Sequence, residues 1–290
     1  MVFLPDTNIH IDRFRRKGGR LYLLSHFHSD HMYGLDDGAR LPILCSTITK
    51  RLITHFKRIS DDNILTLDPG EEIEAVPGLR IKAFDANHCP GAVMFLLRHN
   101  SRNDLYTGDF RYCMTHDSEP ELFHDITTLY VDQTFKSDDD WYDHPTQEDA
   151  IRQVIELIRA HPDKHVLIGT YRIGKEKILL GIYRALGLKI AVTPERYEML
   201  RLIGMEEFAT LDEASTRIQA CHMRMIEGNF HERFPDFAKT GILILPTGWA
   251  PDNRDDGCVF HVPYSEHSSS TELRDFIKRV NPDRIISLHE

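Results

Sequence analysis

The most constraining feature of this sequence is the segment His-Phe-His-Ser-Asp-His at residues 26–31. It follows an apolar run, Leu-Tyr-Leu-Leu at residues 21–24, which predicts a short buried strand. Four side chains that can bind a metal ion therefore occur within six residues, at the end of that strand. Imidazole and carboxylate groups are the ligands that zinc prefers, so the segment predicts a zinc site rather than a polar loop rich in histidine by chance.

The composition is that of a globular protein with a substantial core. Of its 290 residues, 41% are hydrophobic and 28% are charged, and no apolar run approaches the ~18 residues of a membrane span. No membrane partner and no secretory signal are therefore expected. The five cysteines are scattered and form no C-x-x-C pair, which indicates a reducing compartment and argues against a disulfide framework or a cysteine zinc knuckle.

The net charge of −10 at first disfavours nucleic acid as a partner. Two bound zinc ions would reverse this locally, because their four positive charges outweigh two ligating carboxylates. A basic cluster near the N-terminus is compatible with a nucleic-acid contact or with a solvated turn around Gly18 and Gly19. Its members are Arg13, Arg15, Arg16, Lys17 and Arg20.

The order of predicted elements indicates an α/β layered fold that is interrupted by a second α/β unit. Short strands are predicted first, at 21–24, 79–84, 92–97, 105–107 and 129–131. Thr146 then predicts the start of a helix, and strands at 166–168, 190–192 and 242–245 follow, with helices at 174–186 and 195–203. A capping box formed by Ser269 and Glu272 opens a further helix, and 285–288 predicts a last strand.

Two more candidate ligands follow predicted strands. His88 lies between two apolar runs, and Asp109 follows Thr107 and Gly108 at the end of another. An aspartate after glycine is usually a turn residue, so either signal alone is weak. Together with the histidine-rich segment they complete one pattern.

That pattern, H-x-H-x-D-H followed by a lone histidine and by Gly-Asp, resembles the metallo-β-lactamase superfamily. Longer strings resemble the DNA cross-link repair nucleases of its β-CASP branch. These strings are Ala-Asn-His-Cys-Pro-Gly at 86–91, Thr-Gly-Asp-Phe-Arg at 107–111, Thr-Tyr-Arg-Ile-Gly-Lys-Glu at 170–176, Pro-Thr-Gly-Trp at 246–249 and Pro-Tyr-Ser-Glu-His-Ser-Ser at 263–269. The resemblance runs from Asp12 to the C-terminus.

The resemblance implies a metallo-β-lactamase αββα sandwich, formed by residues 1–133 and 258–290, with an inserted α/β β-CASP domain at 134–257. It also implies that one or two zinc ions are bound. The first ion would be held by His26, His28, His88 and Asp109. The second would be held by Asp30, His31 and a bridging Asp109, while Asp12 would orient the ligands.

The resemblance assigns catalytic roles to Asp30, Asp132 and His267, the last facing the scissile phosphate. His289 stands where DNA-processing relatives usually carry valine and where RNA-processing relatives carry a metal-binding histidine. A shifted register or a plain chain-end histidine would explain it equally well. The choice between DNA and RNA therefore stays open at this position.

The segment that contains Lys175 follows a predicted strand and opens a helix, where backbone amides and a lysine can hold an anion. The resemblance implies a pocket there for a terminal 5′-phosphate, with Tyr171 and Thr247 as further contacts. Tyr171 and Trp249 could stack on bases, although packing in the core or at its rim is an equal alternative.

Together with the resemblance, these observations predict a monomeric, zinc-dependent 5′-to-3′ exodeoxyribonuclease. The resemblance implies that it acts on single- or double-stranded DNA with a 5′-phosphate, in the nucleus. Two alternatives are a structure-selective DNA endonuclease of the Artemis type and an RNA-directed β-CASP nuclease. A non-catalytic scaffold would be expected to lack ligands, and here every ligand position is filled.

Overall fold

The computed structural model describes residues 2–4, 7–15, 18–136, 143–223, 235–249 and 257–288. The chain forms two compact units. The first comprises Met1–Asp143 and His267–Glu290, and the second comprises His144–Glu266. The second unit is therefore an insertion in the sequence of the first.

The first unit contains a five-stranded sheet in the order β1-β2-β3-β4-β5. β1 pairs with β2 in the antiparallel direction, and the remaining neighbours are parallel. The strands are β1 (Val2–Leu4), β2 (Ile9–Ile11), β3 (Leu21–Leu23), β4 (Ile43–Cys45) and β5 (Ile64–Thr66).

A six-stranded sheet completes the strands of this unit, in the order β17-β10-β9-β8-β7-β6. β6, β7, β8 and β9 form an antiparallel meander, whereas β10 is parallel to both β9 and β17. The strands are β6 (Glu72–Val76), β7 (Leu79–Asp85), β8 (Val93–His99), β9 (Arg102–Tyr106), β10 (Thr128–Val131) and β17 (Arg284–Ser287).

The core of the first unit is a cluster of buried apolar side chains from both sheets. Leu23 and Leu44 come from the five-stranded sheet, and Ile81 and Phe95 come from the six-stranded one. These alternating positions face each other because successive side chains of a strand point to opposite faces. Removing such side chains from water is the main force that holds the two sheets together.

Two helices flank these sheets. Helix α1 (Thr47–Lys57) begins at Ser46, whose hydroxyl accepts a hydrogen bond from the Thr49 amide. Helix α6 (Ser270–Val280) begins at the predicted capping box, and its Phe276 ring lies 4.8 Å from the ring of Phe110. The layered α/β arrangement predicted for this unit is confirmed.

The second unit is built on a sheet in the order β13-β12-β14-β11-β15-β16, in which every pair of neighbours is parallel. The parallel packing predicted from the strand–helix alternation is thus confirmed. The strands are β11 (His165–Thr170), β12 (Ile190–Ala191), β13 (Ala209–Thr210), β14 (Ile218–His222), β15 (Gly241–Thr247) and β16 (Val259–Pro263).

Among the described residues of this unit, four helices accompany the sheet, namely α2 (Gln147–Ala160), α3 (Glu176–Leu186), α4 (Pro194–Ile203) and α5 (Pro235–Thr240). Thr146 caps α2 as expected, since its side chain accepts a hydrogen bond from the Asp149 amide. Across the described ranges of the chain, no helix combines the length and apolar character needed to cross a bilayer.

The strand directions explain why the candidate ligands of the first unit meet. β7, β9 and β10 run the same way, so their carboxyl ends lie along one edge of the six-stranded sheet. His88, Asp109 and Asp132 each follow one of these ends. At the same edge, the Val93 amide donates a hydrogen bond to the carbonyl of Ser25, which joins the two sheets where the histidine-rich segment begins.

Candidate metal centre

The first group of candidate ligands consists of His26, His28, His88 and Asp109, whose ligand atoms all lie within 4.8 Å of one another. His28 Nδ1 lies 2.9 Å from His26 Nε2 and 3.2 Å from His88 Nε2. Asp109 Oδ2 lies 3.7 Å from Nε2 of both His26 and His88. The loops that follow three strands, β3, β7 and β9, therefore place four donor atoms in one small volume.

This arrangement fits a zinc ion. Zinc–nitrogen bonds are about 2.0–2.1 Å long, so two nitrogens of a tetrahedral site stand roughly 3.3 Å apart. The separations between the three imidazoles and the carboxylate lie on both sides of that value. Three imidazoles and one carboxylate are also a donor set that suits zinc chemically.

The second group consists of Asp30, His31 and the same Asp109. His31 Nε2 lies 3.1 Å from Asp109 Oδ1 and 3.6 Å from Asp30 Oδ2. The two oxygens of Asp109 therefore face different groups. Oδ1 is buried and accepts no well-aligned hydrogen bond from the described residues, despite its proximity to His31, so it is available to a cation.

Asp12 holds two of the histidines in place from behind. It is fully buried and accepts hydrogen bonds from the Ser25 amide at 2.8 Å, the Ser25 hydroxyl at 2.6 Å, the Tyr106 hydroxyl at 2.8 Å and His31 Nδ1 at 2.8 Å. His26 Nδ1 in turn lies 2.9 Å from the Ser25 hydroxyl. Each ring thus uses Nδ1 toward Asp12 or Ser25, which leaves Nε2 for a metal.

The charges of this cluster favour a cation between the carboxylates. Burial alone would lower the pKa of His31, but Asp109 and Asp12 outweigh it and hold that pKa well above its usual value. Burial, followed by repulsion from His31 and His28, lowers the pKa of His26 well below its usual value. Burial would raise the pKa of Asp109, but His31 keeps it well below the usual range. A neutral His26 beside an ionised Asp109 is the protonation state that metal binding requires.

A third group joins Asp109 to Asp132 and His267. His267 Nδ1 lies 2.7 Å from Asp132 Oδ2, and its Nε2 lies 4.0 Å from Asp109 Oδ2. Asp132 is buried and also accepts hydrogen bonds from the amide and hydroxyl of Thr134, at 2.9 and 2.6 Å. Asp132 therefore orients the imidazole of His267 toward the carboxylate that the other two groups share.

Gly108 permits this close approach. Its φ of +54° lies in the left-handed region, and a Cβ atom there would lie 2.9 Å from the side chain of Ser25. A residue with a side chain would push the loop that carries Asp109 away from the histidine-rich segment. The Gly-Asp pair of the sequence is therefore a packing requirement as well as a turn signal.

The predicted phosphate contacts belong to the second unit, at the carboxyl edge of its parallel sheet. Tyr171 follows β11, Thr247 ends β15 and Lys175 precedes α3. The Lys175 ammonium is buried, lies 4.5 Å from the centre of the Tyr171 ring and donates a hydrogen bond to the carbonyl of Pro246, the residue before Thr247. The structure thus brings Lys175 and Tyr171 together, beside the carbonyl of the residue that precedes Thr247.

The N-terminus of helix α3 has a different role in the structure from the one predicted. The Gly174 amide donates to Glu176 Oε2 at 2.8 Å, and the Lys175 amide donates to Glu266 Oε1 at 2.7 Å. Both amides are already satisfied by carboxylates of the protein itself, so they do not form an open anion seat. A phosphate in this region would therefore be contacted by side chains rather than by these two amides.

Arg196 is a structural residue of this region that sequence reasoning missed. Its guanidinium is buried, donates to the carbonyls of Tyr171 and Gly174, and forms an ion pair with Glu176 at 2.8 Å. No sequence signal joins it to a loop 20 residues earlier. Ser25 was also missed, although a hydroxyl directly before His26 could have been recognised as a partner for its ring.

His289, the tentative ligand of a second metal, lies outside the described residues.

Two family models match parts of the chain. A model of the beta-lactamase superfamily domain matches residues 13–168, and a model described as DNA repair metallo-beta-lactamase matches residues 205–288. A crystal structure of a protein of unknown function from Enterococcus faecalis has a TM-score of 0.66 and 15% identity, covering 93% of this chain and 75% of that one. At this identity the likeness shows the fold alone.

Curated relatives match almost the whole chain. The 5′ exonuclease Apollo of Gallus gallus is 37% identical over 98% of this chain and 62% of its own length. The DNA cross-link repair protein SNM1 of Arabidopsis thaliana is 31% identical, over 98% of this chain and 64% of its own length. The human (Homo sapiens) DNA cross-link repair 1A protein is 32% identical, over 98% of this chain and 30% of its own length. The chain thus spans less than two thirds of the length of each.

The chain therefore belongs to the metallo-β-lactamase superfamily, in its DNA repair family of β-CASP proteins.

Proposed function

We propose that this protein is a zinc-dependent nuclease that hydrolyses DNA phosphodiester bonds in the 5′-to-3′ direction, starting from 5′-phosphate ends. The observation that carries the proposal is the double use of Asp109, which belongs to both candidate metal groups and also faces His267. Phosphodiester hydrolysis needs an activated water, neutralisation of phosphate charge and a proton for the leaving oxygen. The two candidate metal groups that share Asp109 would serve the first two requirements, and His267 in the third group would serve the last.

Relatives with named activities support the reaction and the substrate. The Gallus gallus relative is named a 5′ exonuclease, and two others are named DNA cross-link repair proteins. DNA is accordingly the proposed substrate, DNA repair the proposed process and the nucleus the proposed location, with the protein acting as a monomer.

His26, His28, His88 and Asp109 would hold one zinc ion, and Asp30, His31 and Asp109 a second. When bound, zinc would supply an activated water near neutral pH and neutralise charge on the phosphate. Asp30 is mostly exposed, and its carboxylate lies 3.6 Å from His31 Nε2. It is therefore free to orient the attacking water and to accept its proton.

His267 is the proposed proton donor to the leaving 3′-oxygen. Its Nδ1–H donates to Asp132, and this bond would stabilise the doubly protonated ring before the proton leaves from Nε2. Asp132 thus acts through His267 rather than on the substrate. Cleavage of the first bond would release a nucleoside 5′-monophosphate and leave a new 5′-phosphate on the shortened strand.

Lys175, Thr247 and Tyr171 are the proposed contacts of the terminal 5′-phosphate. The Lys175 ammonium is buried, lies 4.5 Å from the centre of the Tyr171 ring and donates a hydrogen bond to the carbonyl of Pro246. A phosphate would gain a charge-assisted bond at a buried position, where such bonds are strong. This contact would favour action from a phosphorylated end.

The test is digestion of oligonucleotides labelled at the 5′ or the 3′ end, as DNA and as RNA, with either a 5′-phosphate or a 5′-hydroxyl. We expect rapid release of labelled mononucleotide from 5′-labelled, 5′-phosphorylated DNA, and slower digestion of the 5′-hydroxyl strand. Lys175→Ala should abolish that preference, whereas Lys189→Ala, at a lysine outside both sites, should keep it.

Other outcomes would replace the proposal. Internal fragments from hairpin or junction substrates, without mononucleotides, would indicate a structure-selective endonuclease. Faster digestion of the RNA strands would indicate an RNA-directed enzyme. Equal rates on phosphate and hydroxyl ends would remove the Lys175 pocket from the mechanism.

A further inference from the structure

An exposed aromatic ring with an arginine stacked on it lies beside the candidate metal centre. The Arg15 guanidinium carbon lies 3.7 Å from the centre of the Tyr33 ring, and 47% of Tyr33 is exposed. Tyr33 follows His31 by two residues, so their Cα atoms are at most about 7 Å apart. Arg15 lies three residues after Asp12, which accepts a hydrogen bond from His31. The pair therefore stands at the rim of the second metal group.

The backbone is arranged to keep these two side chains together. The Phe14 amide donates to the Tyr33 carbonyl at 3.4 Å, and Phe14 is buried against Tyr22. Gly34 has a φ of +87°, and a Cβ atom there would lie 2.7 Å from the backbone nitrogen of Arg15. Any other residue at position 34 would force the two segments apart.

Tyr33 is exposed although its neighbours in the same turn are not. Met32 is buried, and so is Leu35, whose amide donates to the Met32 carbonyl at 2.9 Å. The turn is thus anchored on both sides while the aromatic ring remains in solvent. A cation–π pair on the surface contributes little to stability, so it does not by itself account for the exposure of this ring.

An aromatic ring beside an arginine suits single-stranded nucleic acid. Bases stack on exposed rings without regard to sequence, and an adjacent arginine neutralises the backbone phosphate. A digesting 5′-to-3′ nuclease must hold a strand whose sequence changes at every step, so a sequence-tolerant contact near the metal ions suits it.

We propose that Tyr33 and Arg15 form a base-stacking and phosphate-binding subsite for the DNA strand that is being digested. This inference rests on the proposed nuclease function. It adds a contact in the first unit, made by residues that are not metal ligands. Tyr33 stacks on a base through its open face, and Arg15 contacts the adjoining phosphate.

Binding is measured with zinc-loaded protein and a 5′-phosphorylated oligothymidylate of phosphorothioate linkages, which resists hydrolysis. A matched strand carries abasic sites at its first three positions. The wild type should bind the thymidylate strand about 5- to 100-fold more tightly than the abasic strand. Tyr33→Ala should reduce this ratio to near one, whereas Tyr33→Phe should retain it. Arg15→Ala should weaken both strands and lower the salt dependence of binding by about one counterion.

Leu65→Ala is the matched control, because Leu65 is similarly exposed on the first unit and takes no part in either site. An unchanged base-dependent ratio in Tyr33→Ala would overturn the subsite. Because this readout is binding, it remains valid if the digestion assay shows that the proposed exonuclease activity is absent. Zinc content of each variant identifies any that have lost the metal centre. Tyr33→Leu, which keeps an apolar side chain without an aromatic ring, is a second test, and a base-dependent ratio like that of the wild type in this variant would also overturn the subsite.

Discussion

His267 Nδ1 lies 2.7 Å from the carboxylate of Asp132, which is itself buried and fixed by Thr134. This contact sets which ring nitrogen of His267 carries a proton when the ring is neutral, and it stabilises the charged ring. The opposite nitrogen faces Asp109, the carboxylate shared by the candidate metal groups. The proposed proton donor and the candidate metal groups are therefore linked through two carboxylates from neighbouring strand ends.

Asp132→Asn should lower kcat for DNA digestion by a factor on the order of 10²–10⁴, with little change in KM. The amide keeps the shape of the side chain but no longer stabilises a protonated His267. Steady-state kinetics on a 5′-phosphorylated oligonucleotide measure kcat and KM separately. Asp68→Asn is the control, because Asp68 likewise accepts hydrogen bonds from an amide and a hydroxyl, those of Thr47, away from the site. Equal kcat in wild type and Asp132→Asn would contradict the role of the pair.

Asp12→Asn should weaken zinc binding about 10- to 100-fold, the usual effect of losing a partner that orients a ligand. Asparagine tolerates the left-handed backbone of Asp12, whose φ is 51°, so the fold is expected to survive. However, its amide nitrogen would face at least one of the donors that now point at a carboxylate. Competition with a chromogenic chelator gives the zinc affinity. Tyr106→Phe removes only one of these donors and should have the smaller effect, so a larger loss in that variant would argue against the role of Asp12.

Asp109→Ala and Asp30→Ala should differ in metal content. Asp109 belongs to both groups, whereas Asp30 belongs to one. Asp30→Ala should therefore retain about one zinc ion per chain, while Asp109→Ala should retain less than that. Both variants should be inactive on DNA. Elemental analysis after gel filtration distinguishes them, and identical zinc content in the two variants would mean that Asp109 does not bridge the groups.

Removing the metal from the wild-type protein offers a complementary measurement. Dialysis against a chelator should abolish DNA digestion, and titration with Zn²⁺ should restore it. His31 must lose a proton to bind metal, and its pKa lies well above the usual value because Asp109 and Asp12 outweigh the effect of burial. Restoration should therefore need more zinc at pH 5.5 than at pH 7.5. Undiminished activity after dialysis, in a sample that retains less than about a tenth of its zinc by elemental analysis, would contradict a metal-dependent reaction.

The pH dependence of stability should reveal Glu176. Burial raises its pKa to about 7, despite the nearby Arg196, so the folded state retains a proton that the unfolded chain releases near pH 4.5. The folded state binds more protons between these values, and stability must therefore fall as pH rises from about 4.5 to 7 and then level off. The size of this fall is on the order of 3 kcal/mol.

Glu176→Gln should remove this slope, because the amide does not titrate. Urea unfolding of wild type and variant at pH 5 and pH 8 gives the free energy of unfolding of each. Comparing the change with pH between the two proteins cancels the effects of all other titrating groups. Arg196→Met should cost about 3–5 kcal/mol, since it leaves a buried carboxylate and the loop carbonyls without their donor. Parallel slopes in wild type and Glu176→Gln would mean that Glu176 has an ordinary pKa in the folded protein.

Several local elements were predictable from sequence pattern. The strand at 21–24 is observed as β3 (Leu21–Leu23), and Thr146 and Ser269 cap helices as expected. Helix α1 (Thr47–Lys57) was not predicted, because it opens with three β-branched residues that weaken the helical signal. Its start is fixed instead by the Ser46 cap, and Leu52 and Ile53 bury its inner face.

By itself, the sequence determined which side chains could bind metal and that most of them follow strands, because residue type and strand periodicity are local properties. Tertiary structure alone decided how those side chains are used. Asp12 receives donors from 13 and 94 residues away, at Ser25 and Tyr106. It also decided that the amides before α3 are occupied by Glu176 and Glu266 rather than open to a phosphate. Such pairings depend on where distant strand ends meet in space, which no local pattern of residues encodes.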